Sequence, residues 1–480
     1  MFDAYSSIQK LHNAYREGVT TIKEVVLAYL SRIATIDAGT NGLKSVIEVN
    51  PDILFIAEML DQGMQDIDEM PILHGIPVLL KDNINTKDKM HTTAGSVALG
   101  DNYAPYDAHI VKRLRQTGAI ILGKANMTEF ANYMTRDGMP TGYSSRGGQV
   151  LSPYNRNEHP GGSSSGSGVA VAAGLCTAAI GTETAGSIIS PAGRNGIVGI
   201  KPTLGLVGRS GIIPISSTHD TAGPMARTVY DAAILLTVIA GRDTDDVATH
   251  INKHNNPNDY TSILNGNRLD GIRIGINRPQ STKAFQVPEV SEEERKSFDH
   301  LCNLLSDAGA ILVDSIRMDY MFNTKRTMNN EFKFCLNYYL STLRGSTKMK
   351  TLKDIIEYNQ AHGAVSLKYG QSILLDAENN TSGTMTESSY IEGLIEREKA
   401  IAELDKAFDD NHIDVMLNEV FTNIAPFTGF PSMTIPIGQS KNNNMPLDSY
   451  WIARRFDEVS LLKVCFVAEQ LLGLSLRPEI

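Results

Sequence analysis

Gly75–Asn83 reads GIPVLLKDN. The apolar run Ile76–Leu80 describes a buried strand, and Lys81 stands at its C-terminal end. Further on, Gly118–Lys124 reads GAIILGK and forms a second strand, preceded by a helical stretch around Ile110–Gln116. Helix followed by strand, repeated, is the signature of an α/β fold.

The same alternation extends outward from this pair. A helix is expected near 22–34: Thr21 caps it, Glu24 closes a capping box, and Ile22, Val26, Leu30 and Ile33 share a face. Pro160–Gly174 is a Gly/Ser-rich turn running into the apolar VAVAAGL, as expected of a buried helix N-terminus. Thr177–Ile180 reads as a short strand, followed by a polar, glycine-containing loop and another strand at Gly196–Ile200. His250–Arg268, which contains HNNPND, reads as a linker or surface loop. Gly271–Asn277 and Phe430–Gly438 read as strands. Ser291–Ala310 reads as a helix with a Ser291/Glu294 capping box. Asp457 caps a final helix whose Leu461, Cys465, Ala468 and Leu472 share a face. Residues 320–410 look helical and polar and are expected to form a lid or outer layer.

The chain has 480 residues, 42% hydrophobic and 20% charged, with a net charge of −10. That is enough chain to bury a large core without metal or disulfide staples. A mildly acidic chain is a poor nucleic-acid or anionic-membrane binder, so neither partner is expected. Cys176, Cys302, Cys335 and Cys465 are widely spaced with no CxxC pair, which reads as reduced core cysteines. MFDAYSSIQKLHNAYREG has no basic region followed by an apolar run, and no window holds 18 uninterrupted apolar residues. A cytoplasmic, non-membrane protein is the expectation.

Several chemistries lack their motifs. There is no GxxxxGK[ST], and no GxGxxG between a strand and a helix. The eleven histidines include no HxH or HExxH pair, so neither a metal nor a cofactor is expected. His159 and His219 lie near the unusual loops and read as structural or rim residues. GGSSSGSG (Gly161–Gly168) has linker composition, yet apolar residues follow it directly. It also contains a G-x-S-x-G match centred on Ser164. A nucleophile elbow needs a strand before it, and the preceding NRNEHPGG is polar and contains proline. In TETAGSI (Thr182–Ile188), small residues around Ser187 allow backbone N–H groups to converge on one spot, as a developing oxyanion requires. Lys81, following an apolar strand, is drawn inside. Burial disfavours its charged form and makes it a candidate base.

Taken in order, GIPVLLKDNI, PGGSSSGSG and GTETAGSIISPAGRNGIVGIKPT resemble the amidase signature family. The similarity also covers DTAGPMARTVYDAA (Asp220–Ala233) and GFPSMTIPIG, and so spans most of the chain. The resemblance implies one amidase domain over residues 1–480, with a central mixed β-sheet flanked by α-helices. The signature core would lie at about 70–240 and the helical lid or outer layer at about 320–410. It implies Lys81 as base, Ser163 as relay in a cis peptide, and Ser187 as nucleophile, 24 residues beyond Ser163. The oxyanion hole would be backbone N–H groups of Thr184, Ala185, Gly186 and Ser187.

This chain departs from the commonest family form, Asp-Thr-Gly-Gly-Ser-Ile-Arg. It reads Glu183-Thr184-Ala185-Gly186-Ser187-Ile188-Ile189, with a longer acid, an alanine for a glycine and no arginine. Such a hole survives the alanine if φ stays negative. The variant and its flanks look most like the peptide-amidase branch, which implies hydrolysis of peptide C-terminal or small amides with release of ammonia. Two other readings stay open here: a glutamine-hydrolysing A-type subunit of a tRNA-dependent amidotransferase, and an inactive binding protein on the same fold.

Overall fold

The protein is described from a computed structural model over residues 3–63, 70–251, 259–278, 289–316, 318 and 322–480. Among these residues, eleven strands form one mixed sheet. In spatial order they are Val46–Val49, Ile120–Ala125, Pro77–Lys81, Ala178–Glu183, Thr221–Ala226, Val198–Lys201, Ser432–Gln439, Pro446–Ala453, Val415–Asn418, Arg273–Asn277 and Ile311–Ile316. Pro77–Lys81 runs parallel to both its neighbours, and every residue of these three strands is buried. Continuous apolar runs are what parallel strands covered on both faces need.

Helices cover the two faces. Val229–Ile239 is capped by the Thr228 hydroxyl, which accepts from Asp231 N–H, and it buries nine of its eleven residues. Ser165–Ala172 is buried along its whole length. Its glycines explain the linker-like composition: a Cβ on Gly166 would lie 2.3 Å from the Ser45 carbonyl oxygen. The expected capping boxes form at Ile22–Arg32 and Glu292–Asp307, and Asp457 caps Glu458–Leu472 through Ser460 N–H. All four cysteines are buried and unpaired.

One expectation needs correction. The strand expected at Thr177–Ile180 covers Ala178–Glu183, because the polar Thr182 and Glu183 find partners inside the protein. Of the stretch read as a linker, 252–258, with most of HNNPND, lies outside the described residues. Residues 259–268 form turns without helix or strand and are exposed or half-buried, as a surface loop should be, apart from Tyr260 and Leu264, buried as anchors; Tyr260 N–H donates to Thr237 Oγ1 at 2.9 Å.

Residues 325–411 contain five helices: Lys325–Thr342, Leu352–Ala361, Gly363–Ser366, Ser372–Asn380 and Ser388–Asn411. They are less polar than they read. Phe332, Leu336, Leu340, Leu352, Ile355 and Leu374 are buried in a second apolar cluster. Among the described residues no helix is long and apolar enough to cross a membrane.

Candidate active site

Lys81 and the loop carrying Ser187 stand at the C-terminal ends of adjacent parallel strands. The turn before helix Ser165–Ala172 brings in Ser163. The three segments singled out in the sequence therefore meet. Lys81 Nζ lies 2.8 Å from Ser163 Oγ and 3.0 Å from the Thr182 carbonyl oxygen. The Gly162–Ser163 peptide is cis, as the resemblance implies. Ser164 N–H donates to the Ser187 carbonyl at 3.2 Å, which pins the two serine segments together. Ser164 itself is buried, its hydroxyl bonded to the Thr182 carbonyl, and no strand precedes it.

Exposure separates the serines. Ser163 and Ser164 are fully buried, whereas Ser187 is half-buried beside the exposed Ala185. Lys81 is fully buried. Loss of hydration pushes its amine down to about 7, against the opposing pull of the Asp220 and Glu183 carboxyls.

Two acids shape the loop: Glu183, the longer acid of the variant motif, and Asp220, which did not stand out in the sequence. Glu183 Oε2 accepts from Ile188 N–H at 2.7 Å and Ile189 N–H at 3.0 Å, and Gly186 N–H also faces this carboxyl. A longer acid thus still closes the loop from behind. Asp220 accepts from Thr184 Oγ1 at 2.5 Å, Ile215 N–H at 2.7 Å and Ser216 N–H at 2.9 Å. Burial raises the pKa of both acids, Asp220 to about 6. Glu331, on helix Lys325–Thr342, accepts from Ser216 Oγ, Thr218 Oγ1 and Tyr390 OH. That ties the helical layer to the loop holding Asp220.

Gly186 has φ +103°, and a Cβ there would lie 2.9 Å from Phe421 Cζ. Ala185 is not among the residues of positive φ, so the glycine-to-alanine departure carries no backbone strain. Gly186→Ala is expected to cost about 1–3 kcal/mol in stability. It should also lower kcat/KM about 10²-fold, because a displacement near 1 Å has that effect. Urea melts and amide hydrolysis check this; unchanged kinetics would remove the geometric argument.

A further wall comes from Phe130, Ala131 and Asn132, three consecutive left-handed residues with φ of 47°, 55° and 68°. This conformation costs roughly 1–2 kcal/mol per residue. The turn is held by Phe130 N–H donating to the Ala94 carbonyl at 2.9 Å. Thr128 N–H donates to the Ser163 carbonyl at 3.0 Å. Beside it opens a cavity of about 810 Å³, reaching the Ser187 loop through Thr182 and Thr184 and lined by Asn83, Ala131 and Asp220.

The two histidines are structural. His159 accepts from Gly161 N–H at 3.2 Å. Buried His219 bonds Thr327 Oγ1 at 2.6 Å and the Pro426 carbonyl at 3.2 Å. Arg194, seven residues beyond Ser187 (194 − 187), is paired with Glu158 at 2.7 Å.

The chain has counterparts among known proteins. The Amidase family profile matches residues 24–462. A probable amidase of Arabidopsis thaliana is 35% identical over 480 residues, covering 97% of this chain and 90% of the relative. The A-type subunit of the glutamyl-tRNA(Gln) amidotransferase of Bdellovibrio bacteriovorus is 30% identical over 97% of this chain and 96% of the relative. The solved structure of native peptide amidase from Stenotrophomonas maltophilia superposes with a TM-score of 0.90 at 37% identity, covering 99% of this chain and 98% of that one. Sheet, helical layers and sequence agree, and the chain belongs to the amidase family of hydrolases acting on amides.

Proposed function

We propose that the protein hydrolyses carboxamide C–N bonds by acyl transfer through Ser187, Ser163 and Lys81. The observation that carries this is the 2.8 Å contact between a fully buried, neutral-leaning Lys81 and Ser163 Oγ, in a segment pinned to that of the accessible Ser187. Neutral Lys81 takes a proton through Ser163 as Ser187 Oγ attacks the carbonyl carbon. The oxyanion lies among backbone N–H groups of Thr184, Ala185, Gly186 and Ser187, with Gly186 N–H shared with Glu183. The proton returns to the leaving nitrogen as the C–N bond breaks, and water then cleaves the acyl-serine by the same route. The residues supply every proton transfer, and the scheme calls on no cofactor.

The substrate we infer is the C-terminal carboxamide of a short peptide, or an amino-acid amide, with release of ammonia. The likeness to peptide amidase supports it. So does the state of the nearby cation: Ile189 and Ser190 stand where an arginine is common, and Arg194 is engaged by Glu158. Such a site has little to hold a substrate's free carboxylate. A capped dipeptide amide should therefore exceed free glutamine in kcat/KM by at least about ten-fold, the scale of one lost charged contact. Ammonia release from the purified protein measures this. If glutamine is the better substrate, the relationship to A-type amidotransferase subunits is the functional one.

A further inference from the structure

The cavity is much larger than the bond it serves. At about 810 Å³ it lies in the upper part of the range that encloses drug-sized ligands, on the order of 300–1,000 Å³. If ammonia leaves, every other substrate atom belongs to the acyl part, so the cavity's occupant is the acyl part. Its outer wall is one face of helix Lys325–Thr342: Phe334, Cys335, Tyr338 and Tyr339 line it at helical spacing.

Two of these four are buried and fixed. Tyr339 OH donates to Asn85 Oδ1 at 2.7 Å, and Cys335 is 7% exposed. The other two face outward. Phe334 is 42% and Tyr338 63% exposed, and their rings stand nearly parallel, 7° apart in plane with centroids at 6.5 Å. Tyr106 lines the same cavity and is held by a hydrogen bond between its hydroxyl and Thr342 Oγ1 at the end of this helix. Two large aromatic side chains, left in water on the wall of a cavity that leads to the nucleophile loop, form an apolar platform that the described residues leave uncovered. The nearby charges are mixed, with Lys112, Arg344 and Asp245 all lining the same mouth, so no single sign of ligand is favoured.

We infer that Phe334 and Tyr338 form a subsite for an aromatic or large apolar side chain of the peptide amide, upstream of the scissile carboxamide. This rests on the peptide-amide reading above. It makes the enzyme selective for sequence near the peptide's C-terminus, with selectivity set on the helical layer and chemistry on the sheet.

The test walks a single phenylalanine through an otherwise all-glycine capped tetrapeptide amide. In the unaltered protein, one register should raise kcat/KM about ten-fold over the all-glycine peptide, the scale of a well-formed aromatic contact. The double variant F334A/Y338A should lose that gain and hydrolyse capped glycinamide at an unchanged rate. Both side chains are exposed, so the variant should fold normally. The inference is overturned if no register gains, or if the double variant slows capped glycinamide as much as the phenylalanine peptide. No turnover of the all-glycine tetrapeptide amide, with capped glycinamide still cleaved, overturns the peptide reading itself and this subsite with it.

Discussion

Replacing Ser187 with alanine is expected to lower amide turnover by roughly 10⁶-fold, the scale on which removal of the nucleophile acts in a serine hydrolase. The fold should be undisturbed. Ser187 is half-buried, and the contact that anchors its segment is its own carbonyl, accepting from Ser164 N–H at 3.2 Å, which alanine keeps. Melting should shift by no more than about 0.5 kcal/mol, as for other surface changes. A fluorophosphonate probe should label the unaltered protein and not the variant. The alternatives are specific: Ser163 and Ser164 are nearby serines, but both are fully buried. Stoichiometric labelling of either in Ser187→Ala, with turnover retained, would overturn the assignment.

Lys81→Met is expected to lower kcat about 10⁴-fold, the upper end for a positioned acid–base group, because the same amine starts both acylation and deacylation. Methionine fills a similar volume without a polar head. The Thr182 carbonyl that Lys81 approaches keeps a second donor in Ser164 Oγ, at 3.1 Å. Melting near that of the unaltered protein is therefore expected, since an amine buried at a cost in hydration has been removed. The same residue sets the pH dependence. Burial places its pKa at about 7, and only the neutral form accepts a proton. Activity should fall about ten-fold per pH unit below about 7 and level off above it. A profile measured from pH 5 to 9 on the unaltered protein tests this. Full activity at pH 5, or near-normal turnover in Lys81→Met, would sink the role.

What could be read from the sequence was local. Pro77–Lys81 is legible because an apolar run, a flanking glycine and a polar end coincide in one stretch. The capping boxes at Thr21 and Ser291 are legible because both partners lie three residues apart. What stayed hidden depends on distant partners. Thr182 and Glu183 read as loop, yet Asn83 Nδ2 bonds Thr182 Oγ1 at 3.0 Å, and Glu183 gathers backbone donors from the loop it precedes. Thr221–Ala226 is a central strand with Pro224 opposite Ile180, a placement that proline normally argues against. Asp220 and Glu331 are single acids in ordinary surroundings. Their importance comes from a chain separation of 111 positions (331 − 220) folding back to bring Ser216 between them. The aromatic pair on helix Lys325–Thr342 could be seen as residues, but not as a wall.

Synthesis of the chain and completion of the site run on different clocks. Lys81, Ser163 and Ser187 emerge from the ribosome in the first half of translation. The strand behind them, Val198–Lys201, then waits for Ser432–Gln439, its antiparallel neighbour. The gap from Ser187 to Ser432 is 245 residues (432 − 187), which takes roughly 12–50 s at about 5–20 residues per second. During that interval the sheet carries a bare edge, and Gly186 has not yet met Phe421. Exposed edges invite pairing with other chains, so a nascent chain stalled in this window is the aggregation-prone species. A chaperone that shields strand edges would act there, and the proposed catalytic centre is finished only as the last quarter of the molecule docks.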